Sequence, residues 1–416
     1  MRVYVETYGC TLNQADSDII KGILKKQHQV VKKESDADII ILNTCTVKGA
    51  TENRILERIK KLVEKKKKIV IAGCLSVNEK RIREIASKAP IVWPGALGKI
   101  LDAVEDSYKG IKSKYEGSDY KNTLPRIFTK PILRIPIQEG CTGNCLFCQT
   151  KLARPYLKSY SVGAILKTIK DGIRKGAKEI QLTGMDAGAY GLDIKSNLIE
   201  LLENILEIKG EFFIRLGMIN PNHAKRMKKD LIRIFKNKKM YKFIHLPVQT
   251  GSERVCKEMG RPHSVKDFVQ MVKEFRKNIN GISIATDIIV GYPTENEKDY
   301  IKTREMIKKM DLDIVNISKF SPRAGTKAKL MKQLASEIVK SRSRDLSKLF
   351  RGMAFKKNIG LAGRKFEVMI TEKQRDYTGR NKDYKQVVVK NFNGKKGDKV
   401  KVKIFDANYG CLIGKL

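Results

Sequence analysis

Glu139–Thr150 reads EGCTGNCLFCQT, and its three cysteines, Cys141, Cys145 and Cys148, are spaced Cys-x3-Cys-x2-Cys. Three thiolates this close can occupy three corners of a cubane 4Fe–4S cluster. No fourth cysteine lies nearby, so one iron would stay open. An open iron can chelate the amino and carboxylate groups of S-adenosylmethionine and pass it one electron. That cleavage yields a 5′-deoxyadenosyl radical, able to take hydrogen from an unactivated C–H bond. The competing reading is a zinc knuckle, but zinc sites usually show two Cys-x2-Cys pairs or matching histidines. The chain has four His, none of them close to the run.

The run follows a predicted strand, Leu133–Gln138, which opens a series. Further strands are expected at Glu179–Thr183, Phe212–Leu216, Phe243–His245, Ser283–Val290 and Asp313–Ser318. Helical stretches separate them: Val162–Lys175, Leu198–Ile208, Lys266–Lys277 and Glu297–Met310. Six strand–helix repeats over residues 131–357 predict a (β/α) barrel, complete or partial, with its site at the carboxyl ends of the strands. A charged helix over about Leu334–Lys357 closes this region.

Residues 1–110 alternate in the same way. Strands are expected at Val3–Thr7, Asp38–Leu42 and Lys68–Ala72, with helices over Ser17–Lys25, Thr51–Val63 and Ile82–Ala86. This pattern predicts a Rossmann-like parallel sheet covered on both faces. Residues 111–130 are polar, rich in Gly, Ser and Lys, and read as a linker. Residues 358–416 carry short strands, Lys365–Thr371, Lys385–Val389, Asp398–Ile404 and Tyr409–Gly414, between Gly and Asn turns. They predict a small antiparallel β-barrel. The fold class is therefore α/β with three parts.

Lys plus Arg number 85 against 45 for Asp plus Glu, a formal net charge of +40. So large an excess points to a polyanionic partner, because each neutralised phosphate releases counterions. A lysine-rich solvated surface is the alternative. Lysines crowd the last part, as in KNFNGKKGDKVKVK over Lys390–Lys403. No stretch approaches the ~18 apolar residues that span a bilayer. The N-terminus lacks an apolar signal region, so the expected location is cytoplasmic, without membrane contact.

Eight cysteines do not read as a disulfide set. Besides the run, Cys10, Cys45 and Cys74 each follow a predicted strand of the first domain. Carboxyl ends of neighbouring parallel strands meet on one edge of a sheet. The three thiolates could therefore share a pocket and hold a second 4Fe–4S cluster; otherwise they are buried core cysteines. Cys256 and Cys411 are left over and are expected to sit in packed structure.

Eight strings occur in order: YGCTLNQADS, NTCTVKGATENR, AGCL, EGCTGNCLFCQT, LTGMDAGAYGLD, HLPVQTGSERV, DIIVGYPTE and FSPRAGT. Together they resemble the methylthiotransferases, radical S-adenosylmethionine (SAM) enzymes that insert sulfur and methylate it. The last domain resembles a TRAM module. GMDAGAYGLD and FIRLGMINP look like the archaeal and eukaryotic branch that acts on N6-threonylcarbamoyladenosine at tRNA position 37. The resemblance implies a radical-generating cluster on Cys141, Cys145 and Cys148, and an auxiliary cluster on Cys10, Cys45 and Cys74 that presents sulfur. It implies SAM contacts at Thr183, Gly184, Arg215, Gln249 and Asp287. It also implies binding to the tRNA anticodon stem-loop, an electron donor such as ferredoxin or flavodoxin, and room for a sulfur donor.

Some residues keep two readings. Asn13 and Asn43 could bond cluster sulfur or cap a helix; Arg323 could reach substrate or pin a loop. The functional alternatives are methylthiolation of N6-isopentenyladenosine, methylthiolation of a ribosomal-protein aspartate, and non-catalytic RNA binding with structural metal.

Overall fold

A computed structural model describes residues 1–416. Its first sheet is all parallel, in the order β2-β1-β3-β4-β5-β6. The strands are β1 (Arg2–Thr7), β2 (Gln29–Val31), β3 (Ile39–Thr44), β4 (Lys68–Gly73), β5 (Ile91–Val92) and β6 (Lys114–Tyr115). The apolar run of β3 shows why both faces are covered. Ile39 and Ile41 pack with Ile19, Ile20 and Ile23 of α1 (Thr11–Leu24). Ile40 and Leu42 point the other way, to Ile55 and Ile59 of α2 (Gly49–Glu64). A strand buried on both faces carries no polar alternation.

Residues 111–130 are more than a tether. Lys114–Tyr115 adds β6 to the sheet. Lys121 is fully buried, its Nζ 2.6 Å from Asp16 and 2.8 Å from Glu139. The polar composition of the segment reads as a linker; two carboxylates supply the partners that let the Lys121 charge go inside.

The central domain holds six parallel strands in two blocks, as expected for a partial barrel. β7 (Ile132–Pro136), β10 (Glu179–Thr183) and β11 (Phe213–Leu216) form one; β12 (Phe243–His245), β13 (Ser283–Val290) and β14 (Ile314–Lys319) form the other. A single parallel bridge, Ile214 to Met240, joins them. β7 and β14 do not pair with each other, so the wall is open. A small antiparallel ribbon, β8 (Gln138–Glu139) with β9 (Lys158–Ser159), clasps the base of the loop that carries the cysteine run. Ile180, Leu182, Ile214 and Leu216 face a core of 48 buried residues beneath the helices. Their alternates line the interior, floored by Phe213, Tyr241 and Phe243.

The long helix Ser336–Ile359 leads to a closed five-stranded barrel ordered β15-β16-β17-β19-β18. These are β15 (Lys365–Lys373), β16 (Tyr377–Asn381), β17 (Gln386–Val389), β18 (Lys399–Ala407) and β19 (Leu412–Lys415). Four pairings are antiparallel, and β17–β19 is parallel. β16, with the polar sequence YTGRN, had no strand signature; two neighbouring strands recruit it. No helix is long and apolar enough to cross a membrane.

Candidate active site between the two sheets

Cys10 precedes α1, Cys45 follows β3 and Cys74 follows β4. The turns that carry them need glycine. Gly9 has φ +96°, and a Cβ there would meet Cys45 Sγ at 2.6 Å. Asn13 and Asn43 brace the same edge. Asn13 Nδ2 donates to the carbonyls of Tyr8 (3.0 Å) and Thr44 (2.6 Å), and Asn43 Nδ2 donates to the Asn13 carbonyl and Ser17 Oγ, both at 2.8 Å. Neither caps a helix. Cys45 and Cys74 are buried and Cys10 is exposed, so the pocket is open on one side. Burial pushes the Cys45 thiol up to about 12. It also raises Cys74, against the pull of Arg154.

In the central domain Cys141, Cys145 and Cys148 surround a tight loop. A Cβ on Gly143 would lie 3.7 Å from Cys145 Sγ and 3.9 Å from Cys141 Sγ. Arg261 Nη1 donates to Cys145 Sγ at 3.2 Å. Burial raises Cys141 and pushes Cys148 up to about 11. Binding to iron must displace the thiol protons, because the thiolate is the ligand. A lone ion draws sulfurs in tightly, at about 2.3 Å each, whereas a cubane takes each thiolate on its own iron. Two cradles, each with three thiols and no fourth, fit two such clusters.

Two side chains just past Cys148 tie the cradles together. Gln149, 2% exposed, hydrogen-bonds Thr46 next to Cys45. It also donates to Asn78 Oδ1 at 3.0 Å, in the turn after Cys74. Arg154 Nε donates to Cys74 Sγ itself at 3.3 Å. Arg323 donates to Gln149 Oε1 at 3.0 Å and to the Thr46 carbonyl at 2.6 Å, and it pairs with Glu52 of α2.

Of the five expected SAM contacts, Thr183, Gly184, Gln249 and Asp287 lie toward the carboxyl ends of their strands, and Arg215 lies deeper in the barrel. Thr183 ends β10, and its carbonyl accepts from Ile137 N at 2.8 Å. Gly184 leaves room for Gln138, whose Cγ would stand 2.9 Å from a Cβ. The buried Gln138 Oε1 has no partner. Gln249, at φ +73°, bonds through its backbone N–H to the Asp287 carbonyl at 2.8 Å. Burial would raise Asp287, but His245 at 3.1 Å and Asn316 at 2.8 Å hold its carboxyl below the usual range. Arg215 sits lower, opposite Gln181 in the register, with its guanidinium over the Phe243 ring at 5.4 Å.

Residues 135–307 match the radical SAM superfamily, and residues 2–93 match the uncharacterized protein family UPF0004. The Archaeoglobus fulgidus protein named "Probable threonylcarbamoyladenosine tRNA methylthiotransferase" is 41% identical over 100% of this chain and 99% of its own length. The chain belongs to the radical SAM methylthiotransferases. The Homo sapiens "Threonylcarbamoyladenosine tRNA methylthiotransferase" is 33% identical over 99% of this chain and 73% of its own. Among solved structures, the radical S-adenosylmethionine methyltransferase TsrM from Kitasatospora setae superposes with a TM-score of 0.57. It covers 79% of this chain and 73% of its own at 10% identity, a likeness of fold.

As a radical SAM methylthiotransferase, the protein uses SAM, a radical-generating 4Fe–4S cluster and a second cluster. Around Cys141, Cys145 and Cys148 this methylthiotransferase places further residues, Asp186 of the LTGMDAGAYGLD string among them. Asp186 Oδ1 accepts from Gly188 N (3.1 Å) and Asn220 N (3.0 Å). His223 Nε2 stands 3.3 Å from Thr142 Oγ1, beside Cys141. Burial raises Asp186 and lowers His223, and His223 Nε2 lies 3.7 Å from Asp186 Oδ2. Lys151 also donates to the Cys141 carbonyl. Proximity to the cysteine run was the available signal for Lys151 and Arg154, and Gln149 lies within the EGCTGNCLFCQT string itself.

Proposed function

We propose that this enzyme replaces the C2 hydrogen of N6-threonylcarbamoyladenosine at tRNA position 37 with a methylthio group. Cys141, Cys145 and Cys148 hold the radical-generating cluster, and Cys10, Cys45 and Cys74 hold the auxiliary one. The observation that carries this reading is the meeting of both cysteine triads at one interface, braced by Gln149 and Arg154. The substrate rests on full-length similarity to proteins named for it.

When bound, the clusters and SAM supply the radical that removes hydrogen from C2 and the sulfur and methyl that replace it. An aromatic C–H offers no acidic proton, so acid–base catalysis could not perform this step. The chain's own residues orient and enclose. Thr183 and Gly184, at the carboxyl end of β10, face the methionine end of SAM. Arg215, with Asp287 and Gln249, supplies charged and polar contacts inside the barrel. The lysines of the C-terminal barrel bind phosphates of the anticodon stem-loop. Electrons come from a low-potential donor of the ferredoxin or flavodoxin kind, with sulfur replenished by a sulfur donor, in the cytoplasm.

The test is an anaerobic assay on tRNA with and without the threonylcarbamoyl group, read by nucleoside mass spectrometry. The 2-methylthio product should form only on the modified tRNA. Equal turnover on both, or on isopentenylated tRNA, would remove the substrate assignment. Modification of a ribosomal-protein aspartate with none in tRNA would remove the tRNA reading.

A further inference from the structure

We infer that Arg154 is a positioning residue for the auxiliary cluster: it reaches from the radical domain into the N-terminal domain and donates to the Cys74 ligand sulfur. The inference rests on the proposed ligation of that cluster by Cys10, Cys45 and Cys74. Arg154 lies six residues past Cys148, at the end of the short helix Thr150–Ala153. It is 3% exposed, and every group it meets is buried. Nε donates to Cys74 Sγ at 3.3 Å, and Nη2 donates to Asn13 Oδ1 at 3.3 Å. The rest of the guanidinium pairs with Asp16 and Glu139.

Charge in this pocket balances before the sulfur is counted. Arg154 and Lys121 face Asp16 and Glu139, two cations against two carboxylates. A Cys74 thiolate bound to iron adds a negative charge, and the group aimed at it is a guanidinium N–H. Charge-assisted hydrogen bonds are about twice as strong as neutral ones. Hydrogen bonds to cluster sulfurs raise the reduction potential by favouring the more negative state. The same bond fixes geometry. Cys148, a ligand of one cluster, and Arg154, a donor to a ligand of the other, share one seven-residue segment, so the spacing between clusters is set locally. Gln149 repeats the connection at the other buried cysteine through Thr46.

The experiment uses full-length protein with Cys141, Cys145 and Cys148 changed to Ala, reconstituted anaerobically so that only the auxiliary cluster is present. In protein labelled with 15N-arginine, pulsed EPR of the reduced cluster should show a nitrogen coupling. Arg154→Lys should remove it, and Arg323→Lys should leave it. Arg154→Gln should shift the auxiliary midpoint to lower potential, with Arg154→Lys restoring part of the shift. In the otherwise native enzyme, Arg154→Gln should raise the ratio of 5′-deoxyadenosine to methylthiolated tRNA at least several-fold. No arginine nitrogen coupling in the unmutated pocket, or one that survives Arg154→Lys, would overturn the inference while leaving the ligand assignment intact. Failure of the triple-alanine protein to bind any cluster would overturn both.

Discussion

Tyr384 of the C-terminal barrel places its hydroxyl 3.4 Å from Glu179 Oε1 in the floor of the central barrel. Its ring packs 4.8 Å from both Tyr241 and Phe243, and burial pushes its phenol up to about 12. The backbone there is left-handed, at φ +62°, so the loop is bent to deliver this side chain. The last domain is thus docked on the floor, opposite the rim that carries the cysteines. Tyr384→Ala should cost about 2–3 kcal/mol, the lower part of the range for truncating a large packed side chain because the residue keeps some exposure. Limited proteolysis of Tyr384→Ala should release the C-terminal barrel, while the cluster content stays as in the parent.

Asp313 ties the same interface by charge. Its carboxylate lies 2.7 Å from Arg276, 2.9 Å from Lys357 and 3.0 Å from Lys385. Burial pushes the group up, but Lys385, Lys357 and Arg276 outweigh it and hold the pKa at about 2. A carboxylate with a depressed native pKa stabilises fully above its unfolded value of about 3.9 and loses that contribution as pH falls toward the native one. Asp313→Asn should therefore cost about 2 kcal/mol at neutral pH, from the size of that depression. The gap between wild type and variant should close between about pH 4 and pH 2. Urea midpoints of iron-free protein across that range measure it.

Legibility in the sequence followed the range of the interactions. The helix Glu297–Met310 was readable to the residue because its start is set locally, by the Asn296–Asp299 capping box. The six strands of the partial barrel were readable from apolar runs that each bury themselves. Tyr377–Asn381 was not, since only its neighbours make it a strand. Residues 111–130 read as a linker because the partners of Lys121, Asp16 and Glu139, belong to other segments. Cys10, Cys45 and Cys74 could be grouped from strand ends, and Cys141, Cys145 and Cys148 from their spacing. Gln149 and Arg154 could not be assigned, because their partners Thr46 and Cys74 lie far away in sequence.

Arg323 and Glu52 form a buried pair between the FSPRAGT loop and α2, and both side chains are under one-tenth exposed. Removing one partner leaves a buried charge, which typically costs 3–5 kcal/mol. Arg323→Leu should fall near the low end, about 3 kcal/mol, because Arg81 still reaches Glu52 at 3.1 Å. Adding Glu52→Gln should recover a large part of the loss. Unfolding midpoints of the two single variants and the double variant close the cycle.

Cys256 provides a control for the ligand assignment. It is buried, and its thiol donates to the His263 carbonyl at 3.3 Å. Cys256→Ser should leave iron and sulfide content unchanged and cost on the order of 1 kcal/mol, a hydrogen-bonded thiol exchanged for a hydroxyl. Cys74→Ser should instead lose the auxiliary cluster. Equal iron loss in both would overturn the grouping of the cysteines.

The C-terminal barrel carries the test of tRNA contact. Along β18, Val402 and Ile404 point into the barrel core, while Lys399, Lys401 and Lys403 stand exposed beside Lys395 and Lys396 of the preceding loop. Each phosphate that a lysine neutralises contributes about 0.7–0.9 to the slope of log affinity against log salt. Changing Lys395, Lys396 and Lys401 to Gln should flatten that slope by about 2 and weaken tRNA binding at least tenfold at physiological salt. These lysines belong to the C-terminal barrel, which packs on the floor of the central barrel through Tyr384, so KM for tRNA should rise while kcat holds. A fall in kcat with an unchanged salt slope would place the tRNA elsewhere on the molecule.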